Sequence, residues 1–243
     1  TRAGLSFLDF HFPPELSEFV SLDCDTALAI TVDIARRQPE ILQKGLIGFG
    51  YSQGGIIAAR WAELASGVDP EVFAKRLLCY QRMTPSGRKQ FLQDLGWLAT
   101  KLQEINFKAY SAGTPHHGIR FTTSRAAALL RTGVDRLNPH LVDSYEPKHL
   151  AQFSGAALAG QVLVVDDRAE FLRTASPAQL AVGIGMRAVF HMLSLQEGPH
   201  DGFVSRDSSL IPGVPYVEYG STHLRFPSEP AGAEALLQLM EPS

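Results

Sequence analysis

A serine becomes a useful nucleophile only when a base takes its proton and an acid orients that base. Ser52 is the residue of this chain best placed for such chemistry. It stands in Gly50-Tyr51-Ser52-Gln53-Gly54, which fits Gly-x-Ser-x-Gly. A short apolar run, Leu46 to Phe49, precedes it and reads as a buried strand. An apolar segment with Ile56, Ile57, Ala59, Trp61 and Leu64 follows at once and reads as a helix. Strand, sharp turn and helix form the context in which this motif carries a nucleophile. Gly50 and Gly54 have no β-carbon to clash at the turn and can take torsions closed to other residues. A serine there sits at a helix N-terminus, where free N–H groups and the helix dipole favour developing negative charge. The Gln53 N–H is the natural first oxyanion donor. The competing view is a glycine-rich turn with an incidental serine. Candidate bases are the late histidines His191, His200 and His223. Candidate acids are Asp201, in an Asp-Gly turn, and the pair Asp166 and Asp167 after the strand Gln161–Val165. Asp-Gly is also a common turn in any protein.

The elements that must position these residues can be read in order. Leu5 to Phe10 reads as a strand, and Pro13-Pro14 forbids its continuation. A helix is expected from Asp25 to Gln38, before Pro39, and the helix after Ser52 should end near Gly67. Asp69 to Asn106 looks helical and is broken at Thr84-Pro85-Ser86-Gly87. Phe107 to Ala112 is the next strand, and Ile119 to Gly155 has no clear period. Gln161 to Val165 is a continuous branched run suited to a parallel strand covered on both faces. A helix over 177–195, a strand at Tyr216 to Tyr219 and a helix from Ala231 to Met240 complete the order. Strands alternating with helices imply a doubly wound, mostly parallel α/β sheet. With 243 residues and no repeat or linker, the chain is expected to be one domain over 1–243.

Bulk properties exclude several classes. Net charge is −3 with no basic run, which argues against nucleic acid as a partner. No apolar run is long enough for a transmembrane segment. Cys24 and Cys79 are far apart, lack metal-ligand spacing and are expected to be buried thiols. His116 has no partner ligands at fitting spacing, so no metal site is expected.

Four stretches together resemble the lipases and esterases of the α/β-hydrolase superfamily. Gly50-Tyr51-Ser52-Gln53-Gly54-Gly55 is similar to their Gly-His-Ser-Gln-Gly-Gly elbow, with Tyr51 where many carry His. Gly113-Thr114-Pro115-His116-His117-Gly118 is similar to their Thr-Pro-His-x-Gly segment, which lies near the site and is read as structural. Asp201-Gly202-Phe203-Val204-Ser205 is similar to their Asp-Gly-x-Val acid loop. His223-Leu224 falls where they carry the catalytic His, often as Asp-His-Leu; Thr222 replaces that Asp. The match spans roughly residues 40 to 225, in the family's order of serine, acid, histidine.

The resemblance implies a serine hydrolase acting on small-molecule or lipid esters, with Ser52 as nucleophile, Asp201 as acid and His223 as base. No cofactor is needed. Residues 119–155, and also 68–106, are candidates for a cap; Leu129, Leu130, Leu137, Leu141, Leu150 and Phe153 would suit an acyl chain or ordinary helix packing. The region up to the elbow also resembles the palmitoyl-protein thioesterase pattern around Gly-Phe-Ser-Gln-Gly-Gly. A non-catalytic binding protein on the same fold is the alternative from a different class. One departure stands out. The family takes its second oxyanion donor from a loop after an earlier strand, often a His-Gly motif, and none precedes the elbow here. With Thr1 as first residue, the expectation is an N-terminally incomplete sheet, an exposed apolar edge near Leu5–Phe10 and weak turnover.

Overall fold

The computed structural model describes residues 20–117, 158–165, 199–201, 204–223 and 225–240. Among these residues, four strands form one parallel sheet: β1 (Ile47–Tyr51), β2 (Lys108–Ala112), β3 (Leu158–Val165) and β4 (Tyr216–Gly220). They lie side by side in chain order, each hydrogen-bonded in parallel to the next. Parallel neighbours need crossovers, and between β1 and β2 this is helical: α2 (Gln53–Ala65), α3 (Pro70–Lys75), α4 (Leu78–Arg82) and α5 (Pro85–Glu104). Before β1 stands α1 (Val20–Arg37); after β3 come the short α6 (Arg206–Ser209) and, beyond β4, α7 (Pro230–Met240). This is the parallel α/β architecture expected from the sequence.

Helices cover both sheet faces, and two apolar clusters record it. The larger joins Leu28, Val32 and Ala35 of α1, Ala59 and Ala62 of α2, Leu95, Leu98 and Leu102 of α5, and Ala109 of β2. The smaller joins Ala112, Val162 and Val164 to Phe226 and Ala235 of α7. Alternate residues of β2 therefore feed opposite faces, as the period of two requires. The segment 68–106, a candidate cap, contributes α5 to the larger cluster. Phe91, Leu95, Leu98, Ala99 and Leu102 are all buried there at helical spacing.

The boundaries moved where no local signal marked them. α1 is described from Val20, ahead of the expected Asp25, and no Gly or Pro interrupts it through Arg37. β3 begins at Leu158 rather than Gln161. Gly160 there is a point of close approach inside the strand: a β-carbon on it would lie 3.0 Å from the Tyr110 ring. The stretch from Asp69 holds an extra break at Arg76-Leu77. Asp69 caps α3 by accepting from the Glu71 and Val72 N–H groups, and Thr84 caps α5 by accepting from Gly87. Thr84-Pro85 is thus a helix start as well as a break. The break at Arg76 serves a buried ion network. Glu63 of α2 accepts from Arg60 at 2.8 Å and from Arg76 at 2.6 Å, and both guanidiniums lie against the Phe73 ring. Two cations on one buried carboxylate offset part of its desolvation cost.

Cys79 is buried, as expected; the Cys24 side chain lies outside the described residues. So do the strand at Leu5–Phe10, the segment 119–155 and the helix over 177–195. Among the described residues, no helix is long and apolar enough to cross a membrane.

Candidate active site

The C-terminal ends of parallel strands form one sheet edge, where open α/β sheets hold their ligands. Main-chain hydrogen bonds stitch this edge together. Ser52 N–H donates to the Ala112 carbonyl at 2.9 Å, Gly113 N–H to Val162 at 3.0 Å, and Ser221 N–H to Val165 at 2.9 Å. Ser52, the Gly113 turn and the His223 loop therefore leave the sheet at the same level.

At the elbow the residue with unusual torsions is Ser52 itself. Its φ is 53° and ψ −128°, a conformation L-residues rarely adopt. Neither Gly50 nor Gly54 has a positive φ. This corrects the expectation that the flanking glycines supply special torsions. Gly50 is required by proximity: a β-carbon there would lie 2.2 Å from the Gly54 carbonyl oxygen. A β-carbon on Gly54 meets no described atom within 4 Å, whereas one on Gly55 would lie 1.9 Å from Thr114 Oγ1. The glycine that admits the Thr-Pro-His segment is thus Gly55, outside the five-residue motif. The Gly-Gly pair was its signal in the sequence.

The loop carrying Asp201 is a tight turn. Asp201 N–H donates to the Val204 carbonyl at 3.1 Å, and Val204 N–H donates to Asp201 Oδ1 at 2.7 Å. His200 and Ser205 bridge its stem, and Ser205 caps α6. The second oxygen, Oδ2, lies 2.5 Å from His223 Nδ1. Turn-forming aspartate and imidazole partner are thus the same residue, one oxygen for each. The loops are also tied by backbone, since His223 N–H donates to the Asp201 carbonyl at 2.8 Å.

His223 Nε2 lies 2.9 Å from Ser52 Oγ. A carboxylate can only accept, so Nδ1 carries the proton facing Asp201, Nε2 is the acceptor and the Ser52 hydroxyl donates to it. Asp201 is 1% exposed and His223 7%, while Ser52 is only partly buried. Water is thus largely excluded from the Asp201 carboxylate and the His223 imidazole while the Ser52 hydroxyl stays reachable. The Gln53 N–H is the first of α2, one of the helix-start N–H groups that have no acceptor within the helix, and it stands beside Ser52. Residues 1–19, in which no motif for a second donor was read, lie outside the described residues, as do the rival acids Asp166 and Asp167 and the rival base His191. His200 is described but forms the stem of the acid loop.

The Thr-Pro-His-His segment buttresses this arrangement from below. Gly113 has φ +50°, and a β-carbon on it would lie 3.3 Å from Asp201 Oδ2 and 3.3 Å from Tyr51 Cε2. His116 is buried, and its Nε2 lies 2.9 Å from Ser111 Oγ. Burial, then the nearby His117 and Arg60, push its pKa down to about 3, so it is a neutral structural group. Thr222 has a buried hydroxyl with no hydrogen-bond partner among the described residues. Sequence reasoning gave Tyr51 no role beyond a departure from the motif. Its hydroxyl donates to the His223 carbonyl. Among the described residues no cluster of His, Cys, Asp or Glu could hold a metal ion.

No family model matches the chain, and no curated protein matches it. A solved structure does: the mature form of the Bacillus licheniformis lipase BlEst2. It is 14% identical, and the overlap covers 86% of this chain and 72% of the lipase chain at a TM-score of 0.38. That likeness is too loose to carry a correspondence between individual residues.

Proposed function

We propose that the protein is a serine hydrolase that cleaves carboxylic esters through an acyl-enzyme. The observation supporting this is the unbroken hydrogen-bond relay from Asp201 Oδ2 through both imidazole nitrogens of His223 to Ser52 Oγ. It ends on a serine at a helix N-terminus with strained torsions. In this reading Ser52 Oγ attacks the acyl carbonyl carbon while His223 Nε2 takes the hydroxyl proton. Negative charge collects on the former carbonyl oxygen and is met by the Gln53 N–H and the N-terminal end of α2. Collapse breaks the bond to the leaving alkoxide, which receives the proton from Nε2. Water then attacks the acyl-enzyme by the same route and frees Ser52. Asp201 fixes the Nδ1–H tautomer and stabilises the imidazolium that forms twice per cycle. The chemistry uses no cofactor.

A fluorophosphonate probe tests the claim, because it reacts with activated serines. Intact-mass analysis should show one adduct per chain, mapped to the peptide holding Ser52 and absent in Ser52→Ala. No adduct on the folded wild type would instead indicate a binding protein without catalysis. Paired oxygen and thiol esters of one acyl chain then separate esterase from thioesterase. Hydrolysis of the thioester alone would move the assignment to the latter.

A further inference from the structure

Tyr51 stands one residue before Ser52, at the end of β1, and its side chain reaches the loop of the base. Its hydroxyl donates to the main-chain carbonyl of His223. Its ring lies 5.0 Å from the imidazole, tilted by 36°, and stacks on Phe226 at 5.5 Å and 22°. Phe226 is itself buried and meets Tyr219 edge-on at 5.6 Å. Gly113 also approaches it: a β-carbon there would lie 3.3 Å from Tyr51 Cε2. The ring thus lies between Gly113 and the stretch from His223 to Phe226, and its phenol is aimed at one acceptor.

Two further contacts join His223 to Asp201, its N–H to the Asp201 carbonyl and its Nδ1 to Oδ2, while its Nε2 meets Ser52 Oγ. The two contacts with Asp201 fix the base relative to the acid. The tie through Tyr51 fixes it relative to the nucleophile, because Tyr51 and Ser52 are adjacent on the same backbone. Resting on the serine-hydrolase reading above, we propose that Tyr51 is a positioning residue that sets the distance between His223 Nε2 and Ser52 Oγ. Burial and then the Asp201 charge both push the phenol up from its ordinary range, so it remains a donor wherever the site works. Proton transfer is steep in distance, so a loop released by even a fraction of an ångström slows the chemical step. Substrate need not touch Tyr51, so its binding should be unaffected.

The test compares wild type with Tyr51→Phe, which keeps the stacked ring and removes only the donor. Each preparation is first titrated with a fluorophosphonate to count reactive Ser52, and hydrolysis of p-nitrophenyl butyrate is then expressed per titrated site. The expected result is kcat per site lower by about tenfold or more, with KM within about twofold. A lower titre with wild-type kcat per site shows a folding role and overturns the proposal. So does a raised KM alone, which marks a pocket wall, and so does an unchanged variant. If wild-type Ser52 is not labelled at all, the hydrolase reading fails and the role of Tyr51 falls with it.

Discussion

At the residue scale the account rests on Asp201 using its two oxygens for different tasks. Oδ1 holds the turn through the Val204 N–H, and Oδ2 faces His223 Nδ1. Asp201→Asn can keep an oxygen for one partner, but its amide then faces the other. If the oxygen stays with Val204, the amide meets Nδ1 and forces the proton to the wrong imidazole nitrogen. Turnover on p-nitrophenyl butyrate should drop by about 10⁴, as in the protease template, while the fold survives by circular dichroism. A drop below about tenfold would remove Asp201 from the acid role. Asp201 and His223 could be singled out in the sequence because their neighbours form short, ordered motifs. Tyr51 could not, since its partner is a main-chain carbonyl 172 residues away and no pattern encodes such a contact.

At the scale of elements, the elbow depends on how closely helix α2 returns over strand β1. Gly50→Ala drives a β-carbon into the Gly54 carbonyl, a backbone atom that can move only if the turn opens. Gly54→Ala meets open space among the described atoms. Fluorophosphonate labelling should therefore be lost in Gly50→Ala and kept in Gly54→Ala, although both glycines belong to the motif. Equal loss in both would mean that Gly54 is needed for a contact not seen here. The turn after β2 makes a separate prediction about pH. His116 stays neutral in the folded chain down to about pH 3, while an unfolded histidine binds its proton near pH 6.5. Between those values the unfolded state holds the extra proton, so stability is lost as pH falls, by up to about 1.4 kcal/mol per pH unit. His116→Gln, which keeps a nitrogen near Ser111 Oγ, removes that dependence. In urea titrations its stability deficit against wild type should narrow from about pH 7 to about pH 4. A constant deficit would place the His116 pKa near its ordinary value. The helical reading of Asp69–Asn106, broken at Thr84–Gly87, covered α5, and the branched run showed β3. The breaks at Thr84 and Arg76 were legible only in part, because a capping Thr-Pro has a local signature and an arginine turned toward Glu63 on another helix has none.

At the scale of the whole molecule, the parallel order of four strands does the assembling. Parallel register puts all four C-terminal ends at one edge, and that brings Ser52, Asp201 and His223 within hydrogen-bond reach from three separate loops. The alternation of strand and helix made this topology legible, and the topology in turn made the order of motifs meaningful. The distances between loops were not legible, because they depend on the helical layer and on the strands' mutual register. The central claim is that this edge transfers an acyl group to Ser52. The most direct measurement is to mix the protein with p-nitrophenyl acetate, quench in acid within the first turnover and weigh the intact chain. The account predicts a gain of one acetyl group, mapped to the peptide that holds Ser52. His223→Ala and Ser52→Ala should show no such gain on the same timescale. Acetylation at another residue, or release of p-nitrophenol at the wild-type rate by Ser52→Ala, would contradict it.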